Sequence, residues 1–223
     1  MIKENPTAKI SRKSLGDSVY QVLLEGILCG RLSSGQELKE VSIAKELGVS
    51  RTPVHEAFRK LTIDGLIEQQ GPSNKSRVVE LNSHSVEEIY EMRKILEVAA
   101  VKRAACNIKA SQLNKLIESA ELLKCALEDD DWANQALDLD LKFHELIAEA
   151  SGNKRLINEI NRYRLLVRAF CRITGNRLNL MDALEEHLVI LNSIKSGNVN
   201  EAANAMSSHI DARRDAVLSE FYS

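Results

Sequence analysis

The run LDLDLKFHELI, from Leu137 to Ile147, reads as a helix with Leu137, Leu141, Phe143, Ile147 and Ala148 available for an apolar stripe. Asp140 and His144 fall inside that stripe, one turn apart. The pattern recurs twice. In MDALEEHLVILNSI the stripe of Leu184, Leu188, Leu191 and Ile194 takes in His187. In NEAANAMSSHIDARRDAV the stripe of Ala202, Met206, Ile210 and Val217 takes in His209. One histidine on an apolar stripe is ordinarily a hydrogen-bonded core residue, and one D-x-x-x-H pair is common. A carboxylate and three imidazoles aimed inward from three helices call for a stronger reason, because a buried charge is costly unless it is paired or metal-bound. Neutral imidazoles with a carboxylate suit Zn²⁺, Ni²⁺, Fe²⁺ or Mn²⁺. Four such donors close a tetrahedral site or leave open positions on a metal that prefers six.

Arg93, in EIYEMRKILEVA, shares the inward side of another helix with Ile89, Leu96 and Ala100. It could fork onto a carboxylate ligand beside the metal, pair with Glu97 one turn away, or extend to solvent. Arg164, Arg168 and Asn192 could also line such a cavity, and nothing in the sequence selects among them.

The elements that must position these groups are mainly helical. Among 223 residues, aromatics are only 4%, and Leu, Ala, Glu, Lys and Ile dominate, which favours helix over sheet. No apolar run reaches membrane-spanning length, and MIKENPTAKISRKS has no signal-peptide core, so no membrane partner is expected. Cys29, Cys106, Cys125 and Cys171 are scattered without a CxxC spacing, which points to reduced thiols and a cytoplasmic protein. Net charge is −2; residues 1–80 carry 12 Lys+Arg against 10 Asp+Glu, and residues 81–223 carry 18 against 22. That asymmetry favours an N-terminal DNA contact only weakly.

Residues 1–13 are polar and basic without periodicity, and read as a mobile arm. A helix from Ser14 through Val19, Val22, Leu23 and Ile27 stops at Gly30; a short one follows around Val41, Ala44 and Leu47, ended by Gly48. Ser50 can cap a third, with Pro53 in its first turn and Val54, Ala57, Phe58 and Leu61 buried. Two β-like runs, LIEQQ (66–70) and RVVEL (77–81), flank the polar turn GPSNKS. Three helices and a hairpin over 14–81 describe a winged helix-turn-helix. A linker at 82–85 follows, with Ser85 and Glu88 as a capping box for a long helix. From 86 to 223 every segment reads helical, over about 111–128, 131–150, 154–174, 179–196 and 199–221: an all-α antiparallel bundle large enough for its own core.

The polar face of the third helix carries Ser50, Arg51, Thr52, His55 and Arg59. Hydroxyls and free N–H groups at a helix N-terminus suit phosphate oxygens, and arginine can fork onto a guanine edge. The segment GRLSSGQELKEVSIAKELGVSRTPVHEAFRKLTIDGLIE resembles the winged-helix reader of GntR-type bacterial transcription regulators. The resemblance makes Ser50, Arg51, Thr52 and Arg59 DNA contacts, with Asn74 and Lys75 at the wing tip. Two departures stand out: His55 replaces the usual arginine, and NKSRV replaces a glycine-containing wing tip. Histidine cannot make the guanidinium fork, so an altered base preference is expected there.

The stretches DLKFHELIAEASGN, EEHLVIL and HIDARR, in that order, resemble the FCD ligand-binding domain of the FadR-type subfamily. In metal-containing members an aspartate and three histidines hold a divalent metal beside a cavity for a small carboxylate. The resemblance therefore implies Asp140, His144, His187 and His209 as metal ligands; zinc is the ion expected on isolation, and Arg93, from its inward place, is the expected effector contact. The expected function is a ligand-responsive transcription regulator, a homodimer on a near-palindromic operator, and not an enzyme. The alternatives are a metal-dependent hydrolase, for which the sequence offers no H-E-x-x-H motif and no placed general base, and a metal-free acyl-sensing regulator, which has no need of four inward polar groups.

Overall fold

A computed structural model describes residues 14–70, 75–80, 82–174 and 177–221. The chain divides into two compact units, one running to Val79 and one from Glu80. The first contains α1 (Leu15–Leu28), β1 (Glu37–Leu38), α2 (Glu40–Leu47), α3 (Arg51–Ile63), β2 (Ile67–Gln70) and β3 (Lys75–Val78). The second contains α4 (Ser83–Asn107), α5 (Ala110–Cys125), α6 (Trp132–Ala150), α7 (Lys154–Thr174), α8 (Arg177–Lys195) and α9 (Val199–Phe221). The fold is thus mainly α, with a winged helix-turn-helix followed by a helical bundle.

In the first unit α3 packs on α1 and α2 through Val54, Ala57, Phe58 and Leu61, as its periodicity predicts. Burying each of these larger side chains contributes about 1.5–3 kcal/mol. Gly48 ends α2 at φ +65°, a left-handed conformation that a side chain would strain, and so sets the tight turn into α3. Val22 and Val41 lie outside the core despite their place in the expected stripes; Leu24 and Ile43 are buried instead. The hairpin pairs Ile67 with Val78 and Gln70 with Lys75. A third strand, absent from the sequence reading, joins it: Glu37 opposite Arg77 and Leu38 opposite Ser76, giving the order β1-β3-β2. Only two residues long, β1 has no periodicity of its own and exists through its pairing.

A complete capping box starts α1: the Ser14 hydroxyl accepts from the Asp17 N–H, and the Asp17 carboxylate accepts from the Ser14 N–H. Lys60 of α3 also donates to Asp17. Lys60 first, then Ser14, draws the Asp17 carboxyl down from 3.8 to about 2. A depressed carboxyl binds more protons unfolded than folded, so its contribution is complete above about pH 4 and is lost as pH falls through 2. Asp17→Asn is therefore expected to lower the urea midpoint of the N-terminal unit at pH 6 and to leave it near wild type at pH 2. An equal loss at both pH values would refute the electrostatic account.

In the second unit α4 packs most extensively on α9, and α6, α7 and α8 complete its surroundings. Trp132 is fully buried at the start of α6, and its indole N–H donates to the Leu123 carbonyl at 2.8 Å, tying α6 to α5. The capping of α4 differs from expectation. Asn82 is the N-cap and accepts from the Ser85 N–H at 2.9 Å, so Ser83, His84 and Ser85 already lie in the helix. Ser85 instead bonds back to the Glu80 carbonyl. Among the described residues no helix is long and apolar enough to cross a membrane.

Candidate functional site

Three helices of the bundle each deliver one imidazole to the same place: His144 from α6, His187 from α8 and His209 from α9, all buried. Their candidate ligand nitrogens lie within 4.8 Å of one another. His187 Nε2 stands 3.4 Å from His209 Nε2. Asp140 Oδ1 stands 3.5 Å from His144 Nε2 and 3.6 Å from His187 Nε2. Donors about 2.0–2.1 Å from a zinc ion at tetrahedral corners are about 3.4 Å apart, so these separations suit the edges of a ligand polyhedron. The placement follows from sequence spacing: Asp140 and His144 are successive turns of one α6 face. Phe143, Ile147 and Ala148 of the expected stripe are buried, whereas Leu137 is 38% exposed and Ala136 and Leu139 are buried at that end instead.

Two of the rings are held from behind by carboxylates. Glu97 of α4 bonds His144 Nδ1, and Glu186 of α8 bonds His209 Nδ1 at 2.7 Å. Each carboxylate carries its own guanidinium: Arg93 Nε donates to Glu97 at 2.8 Å, and Arg213 Nη2 donates to Glu186 at 3.0 Å. A carboxylate only accepts, so Nδ1 of both rings bears a hydrogen, and in a neutral ring Nε2 then presents a lone pair. This is the arrangement that orients metal-binding histidines. His187 is positioned otherwise, stacked on Phe143 with ring centroids 3.9 Å apart and planes 16° from parallel.

The result is a concentration of acceptors. His144 Nε2 is buried without a hydrogen-bond partner, although the Asp140 carboxylate faces it. His209 Nε2 turns inward too, towards His187 Nε2 at 3.4 Å. Protonating one ring would relieve one of these contacts; a divalent cation would serve all of them together, so the donor set fits a metal. Charge states agree. Burial, then the neighbouring His209, pushes the His187 imidazole well down, and burial with His144 and Arg93 does the same to His209. Both are therefore neutral near pH 7, the form that ligates. Burial opposes ionisation of Asp140 and Glu97, yet Arg164 beside the one and Arg93 beside the other hold both well below the usual carboxylate range. Glu186 moves the other way, raised by burial despite Arg213.

A small cavity of about 50 Å³ adjoins the cluster, lined in part by Arg93, Asp140, Arg164, His209 and Arg213. Arg164 donates to Asp140 Oδ2, leaving Oδ1 towards the imidazoles. Arg93 Nη2 and Arg213 Nε are buried without hydrogen-bond partners. Of the roles open to it in the sequence, Arg93 takes the pairing with Glu97 through its Nε, and the residue also lines the cavity. Arg168 and Asn192 are exposed and do not line this cavity. Glu186 and Arg213 were missed by sequence reasoning. The available signal was an acidic residue beside an inward histidine, but Glu186 serves His209 on α9 rather than its neighbour His187.

In the first unit Ser50, Arg51, Thr52, His55 and Arg59 are all exposed along one face of α3. Ser50 has N-cap geometry, but its hydroxyl makes no capping bond. His55 Nδ1 lies 2.8 Å from Glu40 Oε1, and Arg51 lies 3.6 Å from Glu40 Oε2. Lys75, on β3, is exposed and donates to Glu37 at 3.1 Å. Asn74 lies outside the described residues.

Known proteins carry the same two parts. Residues 15–73 match the bacterial regulatory proteins of the gntR family, and residues 88–212 match the FCD domain. The HTH-type transcriptional regulator YdhC of Bacillus subtilis is 31% identical over 195 residues, covering 86% of each chain. The HTH-type transcriptional repressor RspR of Escherichia coli is 25% identical over 214 residues, 96% of this chain and 91% of its own. Among solved structures, E. coli McbR/YncC superposes with a TM-score of 0.72 at 26% identity, over 94% of this chain and 99% of the other. YdhC and RspR are both described as HTH-type transcription regulators. With its winged reader, its helical bundle and its buried histidine cluster, the chain belongs to the GntR family as a DNA-binding transcription regulator with a C-terminal FCD domain.

Proposed function

We propose that this regulator couples operator binding to a small organic acid sensed at a divalent metal. Asp140, His144, His187 and His209 hold the metal, and Zn²⁺ is the ion expected on isolation. The observation that carries the reading is the buried Nε2 of His144, which makes no hydrogen bond and faces the Asp140 carboxylate at 3.5 Å. Glu97 fixes it as a lone pair beside a carboxylate and two further imidazoles. The metal supplies a Lewis-acidic anchor for a carboxylate, and Arg93 Nη2 with Arg213 Nε supplies the remaining buried donors.

In the other unit Ser50, Arg51, Thr52, His55 and Arg59 face DNA, joined by Asn74 and Lys75 of the wing. A homodimer places two readers on the half-sites of a near-palindrome, in the cytoplasm where family members act. Effector binding favours one disposition of the readers over another, by as much as its affinity differs between them.

The test uses the full chain. Metal-stripped protein titrated with Zn²⁺ should take up about one equivalent per chain. A panel of small mono-, di- and tricarboxylates should then contain members that shift operator affinity in the zinc-loaded protein and not in the stripped one. Zinc uptake with no carboxylate effect would confine the site to a structural role. No uptake would leave a buried hydrogen-bond network and favour an apolar ligand instead.

A further inference from the structure

His55 stands exposed on the polar face of α3, and the contact that holds it has a chemical consequence. Glu40, the first residue of α2, reaches across to α3 and places Oε1 2.8 Å from His55 Nδ1. The carboxylate is half-buried at 24% side-chain exposure, while the imidazole is 70% exposed. Its other oxygen faces the Arg51 guanidinium at 3.6 Å, so Glu40 is anchored between two residues of the reading face.

A neutral imidazole has one N–H, and a carboxylate can only accept. Glu40 therefore holds the hydrogen on Nδ1 and leaves the exposed Nε2 as an acceptor. In the major groove, cytosine presents its N4 amino group and adenine its N6 amino group as donors. Guanine presents N7 and O6, and thymine O4, all acceptors. An arginine at this place offers only donors and selects guanine; a histidine locked in this tautomer offers the opposite polarity.

We infer that Glu40 and His55 together form a specificity device that reads an amino-bearing base, cytosine or adenine, at one position of each operator half-site. Glu40 is a positioning residue that acts through the tautomer of His55 and touches no base. The inference rests on α3 being the groove-facing helix and is independent of the metal centre.

Binding-site selection from randomised duplex DNA at pH 8 tests it, with the full-length wild type and the variants His55→Ala, His55→Arg and Glu40→Gln. The position whose preference vanishes in His55→Ala identifies the base that His55 reads. At that position the wild type should favour cytosine or adenine over guanine or thymine by about fivefold or more, the lower end of discrimination by groove hydrogen bonds. His55→Arg should convert it to guanine. In Glu40→Gln the amide can donate to Nδ1 as well as accept from it, so the ratio should collapse towards one while all other positions keep their consensus.

Two results overturn the inference while leaving α3 as the reader: a wild-type preference for guanine or thymine there, or an unchanged ratio in Glu40→Gln. If His55→Ala alters no position, His55 touches no base and the groove-facing reading of this residue fails as well. Unchanged preferences elsewhere in the half-site certify that each variant is folded.

Discussion

Alanine in place of His187 or His209 is expected to lower bound metal from about one ion per chain to near zero, with the helical bundle still folded. Each substitution deletes one nitrogen donor, and the three imidazoles come from separate helices, so each loss removes one helix's imidazole from the ligand set. The loss has a thermal signature. Metal at a hundredfold excess over its Kd stabilises the folded state by about 2.7 kcal/mol. A chain of this size gains about 2–4 °C per kcal/mol, so the C-terminal unit of wild type should melt about 5–11 °C higher when loaded. His187→Ala and His209→Ala should show no such rise. Elemental analysis with differential scanning calorimetry of loaded and stripped protein reads both quantities. A variant that keeps one ion per chain and the full thermal rise would remove its histidine from the ligand set.

The second large effect falls on a residue that is not expected to touch the metal. Glu97 is 2% exposed and lies between the Arg93 guanidinium and the His144 imidazole, both equally buried. Truncation to alanine strands a buried cation, and breaking such a pair from one side costs about 3–5 kcal/mol. The corresponding fall in the melting temperature of the bundle is roughly 6–20 °C. Glu97→Gln keeps the shape and removes the charge, so it should lose less stability. Its amide no longer dictates that Nδ1 of His144 carries the hydrogen, and metal affinity should fall roughly 10- to 100-fold. Competition with a chelator measures that affinity, and the glutamine variant remains informative even where the alanine variant fails to fold. Wild-type affinity in Glu97→Gln would show that His144 needs no carboxylate behind it.

These two effects mark where the sequence was readable and where it was not. Local rules located the helices, since stop signals such as Gly48 and Gly197 and apolar spacing depend on neighbours a few residues away. They also put Asp140, His144, His187 and His209 on inward faces, because a hydrophilic group inside an apolar stripe is visible in one dimension. The edges of those faces were harder. Val22, Val41 and Leu137 have the right spacing yet are exposed, because a helix's apolar face is broad and its packing partners decide which edge is covered. The cap of α4 moved from Ser85 to Asn82 for a related reason: both residues can cap, and the route of the preceding chain chooses between them.

Contacts between distant segments could not be read at all. Strand β1 depends on β3, nearly forty residues later; Glu186 reaches a histidine on the next helix; Glu40 reaches the reading helix from the one before it. None of these pairings leaves a periodic trace, since each is made by a single side chain or a two-residue ladder. The sequence by itself determined the helical character, the DNA-reading pattern and the identity of the candidate metal donors, all carried by spacing along individual helices. Only the tertiary structure decided which carboxylate stands behind which imidazole, which nitrogen keeps its lone pair and which guanidiniums border the cavity. Those choices rest on the packing of one helix against another, and that geometry is set by the whole core.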